Sequence, residues 1–254
     1  MRPSFATVLI LFVASAQAAD CRHEKKIDAT LDLAGADRLV IEAAAGDLAI
    51  AGDDAAVQAH IQGRVCVSKE AWLSEAGVET DSGSTARIAV TLPDTNKGWN
   101  LSADRYASID LEITVPAGLE LEVRDSSGDM VLRETGPVSI QDSSGSIEAR
   151  DINGRVTLED SSGDIELRRI HGDVLVRRDS SGGIDGRDIR GSVRVEQDSS
   201  GEIRFEDVEG DFIVERDSSG AIIADRIGGD FRVLRDSSGG VRMTAVAGEV
   251  EVAD

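Results

Sequence analysis

The stretch that decides the fold reads Gly172-Asp-Val-Leu-Val-Arg-Arg-Asp-Ser-Ser-Gly-Gly-Ile-Asp-Gly-Arg-Asp-Ile-Arg-Gly191. Its Asp-Ser-Ser-Gly motif occurs seven times, beginning at Asp125, Asp142, Asp160, Asp179, Asp198, Asp217 and Asp236. The interval between motifs lengthens slightly over the first two steps and is constant from Asp160 onward. A nearly fixed period indicates stacked repeats, in which each unit buries the apolar face of its neighbour.

Two short apolar runs in each unit predict two strands per repeat. The first run alternates, as in Val174/Val176 and Phe212/Val214, which is typical of a strand with one buried face. The second run begins just after the motif, at Ile147, Ile165, Ile184, Ile203, Ile222 and Val241. The separation between the motif aspartate and the next turn glycine is the same in six of the seven units, so the variation in length lies mostly in the first strand.

The repeat length limits the fold class. Units of about 18–19 residues are too short for a strand–helix–strand crossover, and they contain no long run with helical spacing. We therefore predict an all-β protein, a parallel β-solenoid (β-helix) with one repeat per coil and equivalent residues stacked about 4.8 Å apart. Phe212 should then stack on Phe231. Antiparallel hairpins are the main alternative, but they leave the uniform spacing unexplained.

The start of the chain predicts export. Met1-Arg2 precedes an apolar stretch from Phe5 to Val13 and small residues that end at Ala18. This is the order of a secretory signal peptide, and the apolar stretch is too short to span a membrane. We expect a signal peptide over residues 1–18, an irregular β-rich cap over 19–124 and regular repeats over 125–254, with cap and repeats forming one domain and no transmembrane segment in the mature chain.

Two cysteines, Cys21 and Cys66, remain after the predicted cleavage. An oxidising compartment favours a disulfide between them, and two free thiols are the alternative. The bridge would contribute about 2–4 kcal/mol and tie down the N-terminus. Asp20 stands before Cys21, where a lipoprotein signal has a small residue, so a soluble mature protein is favoured over a lipid-anchored one.

Three segments ahead of the repeats carry a family resemblance: Gly46-Asp-Leu-Ala-Ile50, Leu111-Glu-Ile-Thr-Val-Pro116 and Leu119-Glu-Leu-Glu-Val123. Behind a signal peptide and before Ser-Ser-Gly repeats, this order resembles the bacterial putative-adhesin family. The resemblance implies an exported β-solenoid domain of unknown function over nearly the whole mature chain. It implies no catalytic residues.

The motif side chains have a structural interpretation. Counting the alternation from Val174 and Val176 places the first serine of each motif inside and the aspartate outside. We therefore expect an internal hydroxyl ladder formed by Ser126, Ser143, Ser161, Ser180, Ser199, Ser218 and Ser237. Each aspartate would accept a hydrogen bond from the N–H group two residues on, and the glycine would supply a positive φ.

The seven motif aspartates are also a candidate cation site. Carboxylates about 4.8 Å apart repel by about 1 kcal/mol per pair even in water. Four of them follow an arginine that would offset part of the repulsion: Arg124, Arg178, Arg216 and Arg235. Calcium is the alternative that would offset the rest, although serine is a poor calcium ligand and the calcium-binding nonapeptide repeat is absent. No other cofactor is expected.

An enzyme is a weaker alternative. Polysaccharide-active β-helix enzymes build a cleft from long loops, whereas these repeats carry no long insertions. No histidine recurs at a fixed offset from the Ser-Ser pairs, so no nucleophile system is predicted. A substrate site would have to lie between Cys66 and Tyr106, where Trp72 and Trp99 are otherwise expected to pack in the cap.

Charge and repetition together suggest an interaction protein. The chain has 27 Lys and Arg against 48 Asp and Glu, a net charge of -21, which disfavours nucleic acid and anionic lipid as partners. Positive charge is striped, with Arg133, Arg150, Arg168 and Arg187 in one column.

The sequence thus predicts a non-enzymatic, exported scaffold or adhesin-like protein of the bacterial cell envelope, located in the periplasm, at the cell surface or secreted. Its partner would be an envelope protein or a polysaccharide. End-to-end self-association through the C-terminal coil is a second expectation, because no capping helix follows Gly248.

Overall fold

The structure is a computed structural model that describes residues 21–95 and 105–253. The strands are β1 His23–Asp32, β2 Arg38–Glu42, β3 Leu48–Asp53, β4 Gln58–Val67, β5 Gly77–Asp81, β6 Thr85–Thr91, β7 Ala107–Pro116, β8 Glu120–Arg124, β9 Met130–Arg133, β10 Val138–Gln141, β11 Ile147–Ile152, β12 Val156–Glu159, β13 Ile165–Ile170, β14 Val174–Arg178, β15 Ile184–Ile189, β16 Val193–Val195, β17 Ile203–Val208, β18 Phe212–Val214, β19 Gly220–Ile227, β20 Phe231–Val233, β21 Gly239–Val246 and β22 Val250–Val252. A short 3₁₀ helix, Glu70–Ser74, follows β4. The predicted signal peptide and Trp99 lie outside the described residues. Across the described ranges, no helix has the length and apolar character needed to cross a bilayer.

Successive strands of the repeats alternate between two sheets. Sheet A has the spatial order β1-β4-β7-β3-β9-β11-β13-β15-β17-β19-β21, and sheet B has the order β22-β20-β18-β16-β14-β12-β10-β8-β2-β6-β5. Equivalent strands of neighbouring coils pair in parallel, so that Ile184 faces Ile203 and Ile203 faces Ile222. The predicted parallel β-solenoid is confirmed, and antiparallel hairpins are excluded for the repeats.

The core lies between the two sheets and is formed by columns of inward apolar side chains. Phe212 faces Phe231, as predicted, with ring centroids 5.6 Å apart. Phe205 lies in a column whose neighbouring members are small, Gly186 and Ala224. A Cβ atom at Gly186 would lie 2.1 Å from the Phe205 ring, so the glycine provides the space that the ring fills.

The motif glycines are Gly128, Gly145, Gly163, Gly182, Gly201, Gly220 and Gly239, and each has a positive φ. Gly182 has φ +129°, a conformation that side chains rarely adopt. Its backbone lies so close to the coil before it that an added Cβ would be 1.8 Å from the carbonyl oxygen of Gly163. The glycine is therefore required both by the turn and by the stacking distance.

At the C-terminal end of each sheet A strand from β9 to β21, one residue lies in the left-handed region, with φ between 53° and 59°: Glu134, Asp151, Arg169, Asp188, Asp207, Arg226 and Ala245. None of them is glycine, and this conformation costs about 1–2 kcal/mol for an L-residue with a side chain. The extra outward residue lets the chain turn the next side chain inward again. Ile152, Ile170 and Ile189 are fully buried for this reason.

The N-terminal region extends both sheets. β2 and β3 pair in parallel with β8 and β9 on one side and with β6 and β7 on the other. Beyond them β4 pairs antiparallel with β7 and β1, and β5 pairs antiparallel with β6. The predicted Cys21–Cys66 disulfide is confirmed, with 5.5 Å between the two Cα atoms, and it fastens the residues before β1 to β4.

The last coil, β21 and β22, is called the open coil because it exposes the end of the core. Val250 and Val252 are 53% and 39% exposed, whereas Phe231 and Val233, which face them in the coil before, are completely buried. β21 and β22 each stand at the end of their sheet. Apolar side chains and unpaired backbone groups therefore meet solvent together at this end.

Candidate functional site

The motif aspartates point into the stack, which contradicts the prediction that they point outward. Six of them are at most 6% exposed: Asp125, Asp142, Asp160, Asp179, Asp198 and Asp217. Asp236, in the open coil, is half-buried. Parallel backbone bridges join the last four to one another. These seven residues are called the aspartate column.

The predicted orientation is wrong because a β-bulge interrupts the alternation of inward and outward side chains ahead of the aspartate. Val176 points inward, but the next two residues, Arg177 and Arg178, are both exposed, and Asp179 is inward again. The register slips at this point between β12 and β14. In the shorter repeat before it, Val156, Leu158 and Asp160 alternate inward without a break, so the alternation along β12 gives the correct face for the aspartate.

The predicted internal ladder of first serines is also wrong. Ser126, Ser143, Ser161, Ser180, Ser199, Ser218 and Ser237 are exposed or half-buried. A hydroxyl ladder does run along the stack, but the second serine forms it. Its Oγ donates to the carbonyl of the first serine of the preceding coil at 3.1–3.3 Å, from Ser144, Ser162, Ser181, Ser200, Ser219 and Ser238.

Some of the aspartates accept hydrogen bonds from N–H groups of their own turns, but many of the carboxyl oxygens have no partner. The N–H groups of Ser161 and Ser162 donate to Oδ1 of Asp160 at 2.7 and 3.2 Å. Oδ2 of Asp160 has no hydrogen-bond partner, and neither carboxyl oxygen of Asp179 or Asp198 has one. Buried polar atoms of this kind are uncommon in folded proteins and costly to leave unpaired.

Burial is the main reason why the pKa of each buried column member is raised. The pKa reaches about 7 at Asp179, where the carboxylates of Asp198 and Asp160 add to the effect of burial. It reaches about 6 at Asp125, Asp160 and Asp198, and it is raised at Asp142 and Asp217 as well. The column therefore favours the protonated form near neutral pH far more than an exposed aspartate does.

The arginines that precede four motif aspartates are turned away from the column. The side chains of Arg178 and Arg216 are exposed. Arg124 instead pairs with Glu122 at 2.5 Å and with Glu42 at 3.4 Å. The neutralisation expected from these arginines is therefore not provided by direct contact.

Within residues 21–95 and 105–253, no group of three or more His, Cys, Asp or Glu side chains is arranged to hold a metal ion. Calcium binding by the aspartate column stays a prediction.

The outer face of sheet A carries a continuous series of ion pairs, named here the arginine–carboxylate chain. The predicted arginine column is present, since Arg150 faces Arg133 and Arg168, and Arg168 faces Arg187. Carboxylates from the neighbouring column link these arginines in the order Arg133, Glu148, Arg150, Glu166, Arg168 and Asp185, with N–O distances of 2.7–3.2 Å. Arg204 lies 4.0 Å beyond Asp185 and extends the series to a fifth coil.

In the region predicted to hold a substrate site, if there were one, the described tryptophan packs into the cap. Trp72 is only 8% exposed, and the Nζ atom of Lys69 lies 4.8 Å from its ring centroid. The indole ring is therefore covered rather than offered as a flat platform for a sugar. An open groove of about 760 Å³ lies elsewhere, along the turns around Arg169, Asp188 and Arg226.

Comparison with known proteins agrees with this geometry. Residues 36–253 match the sequence profile of the family described as Toastrack DUF4097. The chain belongs to this family. The family resemblance that the sequence suggested, to β-solenoid domains of unknown function, is thereby confirmed. No curated protein is significantly similar to the chain.

Solved structures similar to this Toastrack chain come from several bacteria. A protein from Bacteroides fragilis described as a putative adhesin is 13% identical, with a TM-score of 0.43, over 90% of this chain and 97% of that chain. A protein from Parabacteroides distasonis described as a putative lipid binding protein is 17% identical, with a TM-score of 0.43, over 92% and 98%. A putative cell adhesion protein from Clostridium sporogenes is 12% identical, with a TM-score of 0.32, over 91% and 99%. Likeness at this level assigns no ligand or partner to this chain.

Proposed function

We propose that this chain is a non-enzymatic, adhesin-like interaction module of the bacterial cell envelope, which binds a partner with the outer face of sheet A. The observation that carries the proposal is the arginine–carboxylate chain, which crosses successive coils without an interrupting loop. Such a face presents an arginine about every 4.8 Å over four coils and suits an extended partner better than a small molecule.

Strand length favours sheet A over sheet B as the binding face. In the regular coils the sheet A strands are the longer ones, as in Ile165–Ile170, whereas several sheet B strands are as short as Val193–Val195. The ion pairs on sheet A lie at the surface and are only half-buried, so water still screens them and each contributes no more than about 1 kcal/mol to folding. Their arrangement is better explained by recognition of an envelope protein or polysaccharide than by stability.

The test compares two charge-reversed variants in a pull-down from envelope extracts. Arg150→Glu with Arg168→Glu disrupts the sheet A face, and Arg177→Glu with Arg194→Glu changes exposed arginines on sheet B by the same net charge. We expect the wild type and the sheet B variant to retain the same partner and the sheet A variant to lose it at least about tenfold. Absence of any partner above background, or equal loss in both variants, contradicts the proposal.

Export is part of the proposal, and the disulfide supports it because such bonds persist in oxidising compartments. We propose cleavage after Ala18. Mass spectrometry of the protein recovered from its native host should then give an N-terminus at Ala19, and a retained Met1 in the folded, oxidised protein would argue against it.

The open coil favours a second proposal, self-association. Two copies would meet tail to tail, with β21 of one pairing antiparallel with β21 of the other and covering Val250 and Val252. Sedimentation velocity should show a dimer that grows with concentration and disappears in Val250→Lys. Val57→Lys is the matched control, because Val57 is a lone valine, 79% exposed, in the cap. A wild type that stays monomeric at high concentration refutes this proposal.

A further inference from the structure

The aspartate column places like charges side by side where water does not reach. Asp179, Asp198 and Asp217 have no exposed surface, and backbone bridges hold them in register along the stack. Both carboxyl oxygens of Asp179 and of Asp198, and Oδ2 of Asp217, have no hydrogen-bond partner. A row of fully ionised carboxylates in these positions would combine mutual repulsion with unpaired buried acceptors.

The charged groups around the column do not relieve this repulsion. Besides the column members themselves, the carboxylate of Asp47 raises the pKa of Asp125, and the carboxylate of Asp129 raises the pKa of Asp142. Both of these neighbours therefore add negative charge near the column. The buried side chains that flank Asp179 along the chain, Val176 before it and Ile184 after it, are apolar. Serine N–H groups donate to Oδ1 of Asp160 and of Asp217, whereas Oδ2 of each of these two residues has no hydrogen-bond partner.

We propose that the aspartate column is a proton-binding site, in which neighbouring carboxyls share protons along the solenoid axis at neutral pH. In each shared pair the O–H group of one aspartate donates to a carboxylate oxygen of the next. The proton comes from water, and only an O–H bond forms when the column is loaded. This arrangement supplies the partners that the buried oxygens otherwise lack, and it removes about one negative charge per pair.

The titration behaviour is consistent with shared protons. Burial raises the pKa of Asp198 to about 6, and the carboxylate of Asp217 adds to the rise. Asp179, between two other members, has a pKa raised to about 7 by burial and by both neighbours.

Carboxyl NMR of the mature, oxidised chain tests the proposal directly. The ¹³Cγ signals of labelled aspartates are followed from weakly acidic to alkaline pH, in H₂O and in D₂O. We expect at least two signals with apparent pKa values above 6 and a deuterium isotope shift that marks a bound proton. Asp198→Asn should remove or shift these signals, whereas Asp188→Asn, at an exposed turn, should leave them unchanged.

Two outcomes overturn the proposal. The first is that every aspartate of the folded wild type titrates below about pH 5, a measurement that needs no variant and so survives a failure of Asp198→Asn to fold. The second is that the column is ionised at neutral pH when calcium chloride is present and the fold is lost with EDTA, which would make it a cation site. Signals that titrate above pH 6 and are the same with calcium and with EDTA support proton sharing.

Discussion

A single methyl group at a motif glycine should separate two coils, and Gly182→Ala is the variant that tests this. The new Cβ would lie 1.8 Å from the carbonyl oxygen of Gly163 and 2.5 Å from its carbon, in a backbone conformation with φ +129°. Real Cβ atoms do not make contacts this short, so the two turns must move apart. That movement strains the stacking hydrogen bonds from Gly163 to Ser181 and from Gly182 to Ser200.

The expected loss is about 4 kcal/mol of unfolding free energy, from about 1–3 kcal/mol of backbone strain and about 1 kcal/mol for each weakened hydrogen bond. Gly183→Ala is the matched control one residue away. Its Cβ would meet the nearest atoms, Asp164 Oδ1 and Glu202 O, at 3.6 Å, which is ordinary contact. This variant should lie within about 0.5 kcal/mol of the wild type.

Urea unfolding followed by circular dichroism, with the disulfide intact, measures both variants. The slope of the transition should be the same in all three proteins, so that the midpoint reports stability alone. If Gly182→Ala unfolds within about 1 kcal/mol of the wild type, or if both variants lose the same stability, the close approach of the coils is not what requires glycine at this position.

Three further predictions follow from the structure. Because the pKa values of the column are raised above their unfolded values, the folded state binds more protons than the unfolded state between about pH 4 and pH 7. The free energy of unfolding should therefore fall by several kcal/mol as the pH rises through this window. Urea midpoints that rise across the window would contradict the assignment. Ala245→Gly should stabilise the protein by about 0.5–1 kcal/mol because Ala245 has φ +55°. Ala247→Gly, outside the left-handed region, is the control and should destabilise the protein. Equal effects of the two substitutions in thermal melts would exclude backbone strain at Ala245. Cys66→Ala should lower the free energy of unfolding by about 3 kcal/mol, since the bridge to Cys21 joins positions separated by 45 in the sequence. The urea midpoint of this variant should no longer respond to reductant. A midpoint equal to that of the oxidised wild type would show that the bridge adds nothing to stability.

The repeat period was enough to predict which residues face one another across coils. Phe212 and Phe231 lie in register because the interval between motifs is constant in that part of the chain, and the arginine column on sheet A follows from the same spacing. The carboxylates that link these arginines are less regular in type and position. Glu148 and Asp185 occupy one column, but the equivalent residue in the next coil is Arg204.

The direction of side chains was harder to predict than their register. One extra residue, Arg177, reverses the alternation in the longer repeats and hides the fact that Asp179 is inside. The left-handed residues gave only a weak signal: three of the seven are aspartates, which tolerate a positive φ, but Arg169 and Ala245 share no property that favours it. Neither did the sequence predict that β2 and β3 form a coil between β6–β7 and β8–β9, because this segment lacks the motif.

Stacking through the motif glycines gives every interior coil the same upper and lower surface. An in-frame duplication of one repeat unit would therefore place a glycine turn against a glycine turn and a buried strand against a buried strand, without a new kind of junction. Each such event would lengthen the molecule by about 4.8 Å and leave its cross-section unchanged. Reach, rather than shape, is the property that mutation can alter most readily in this architecture.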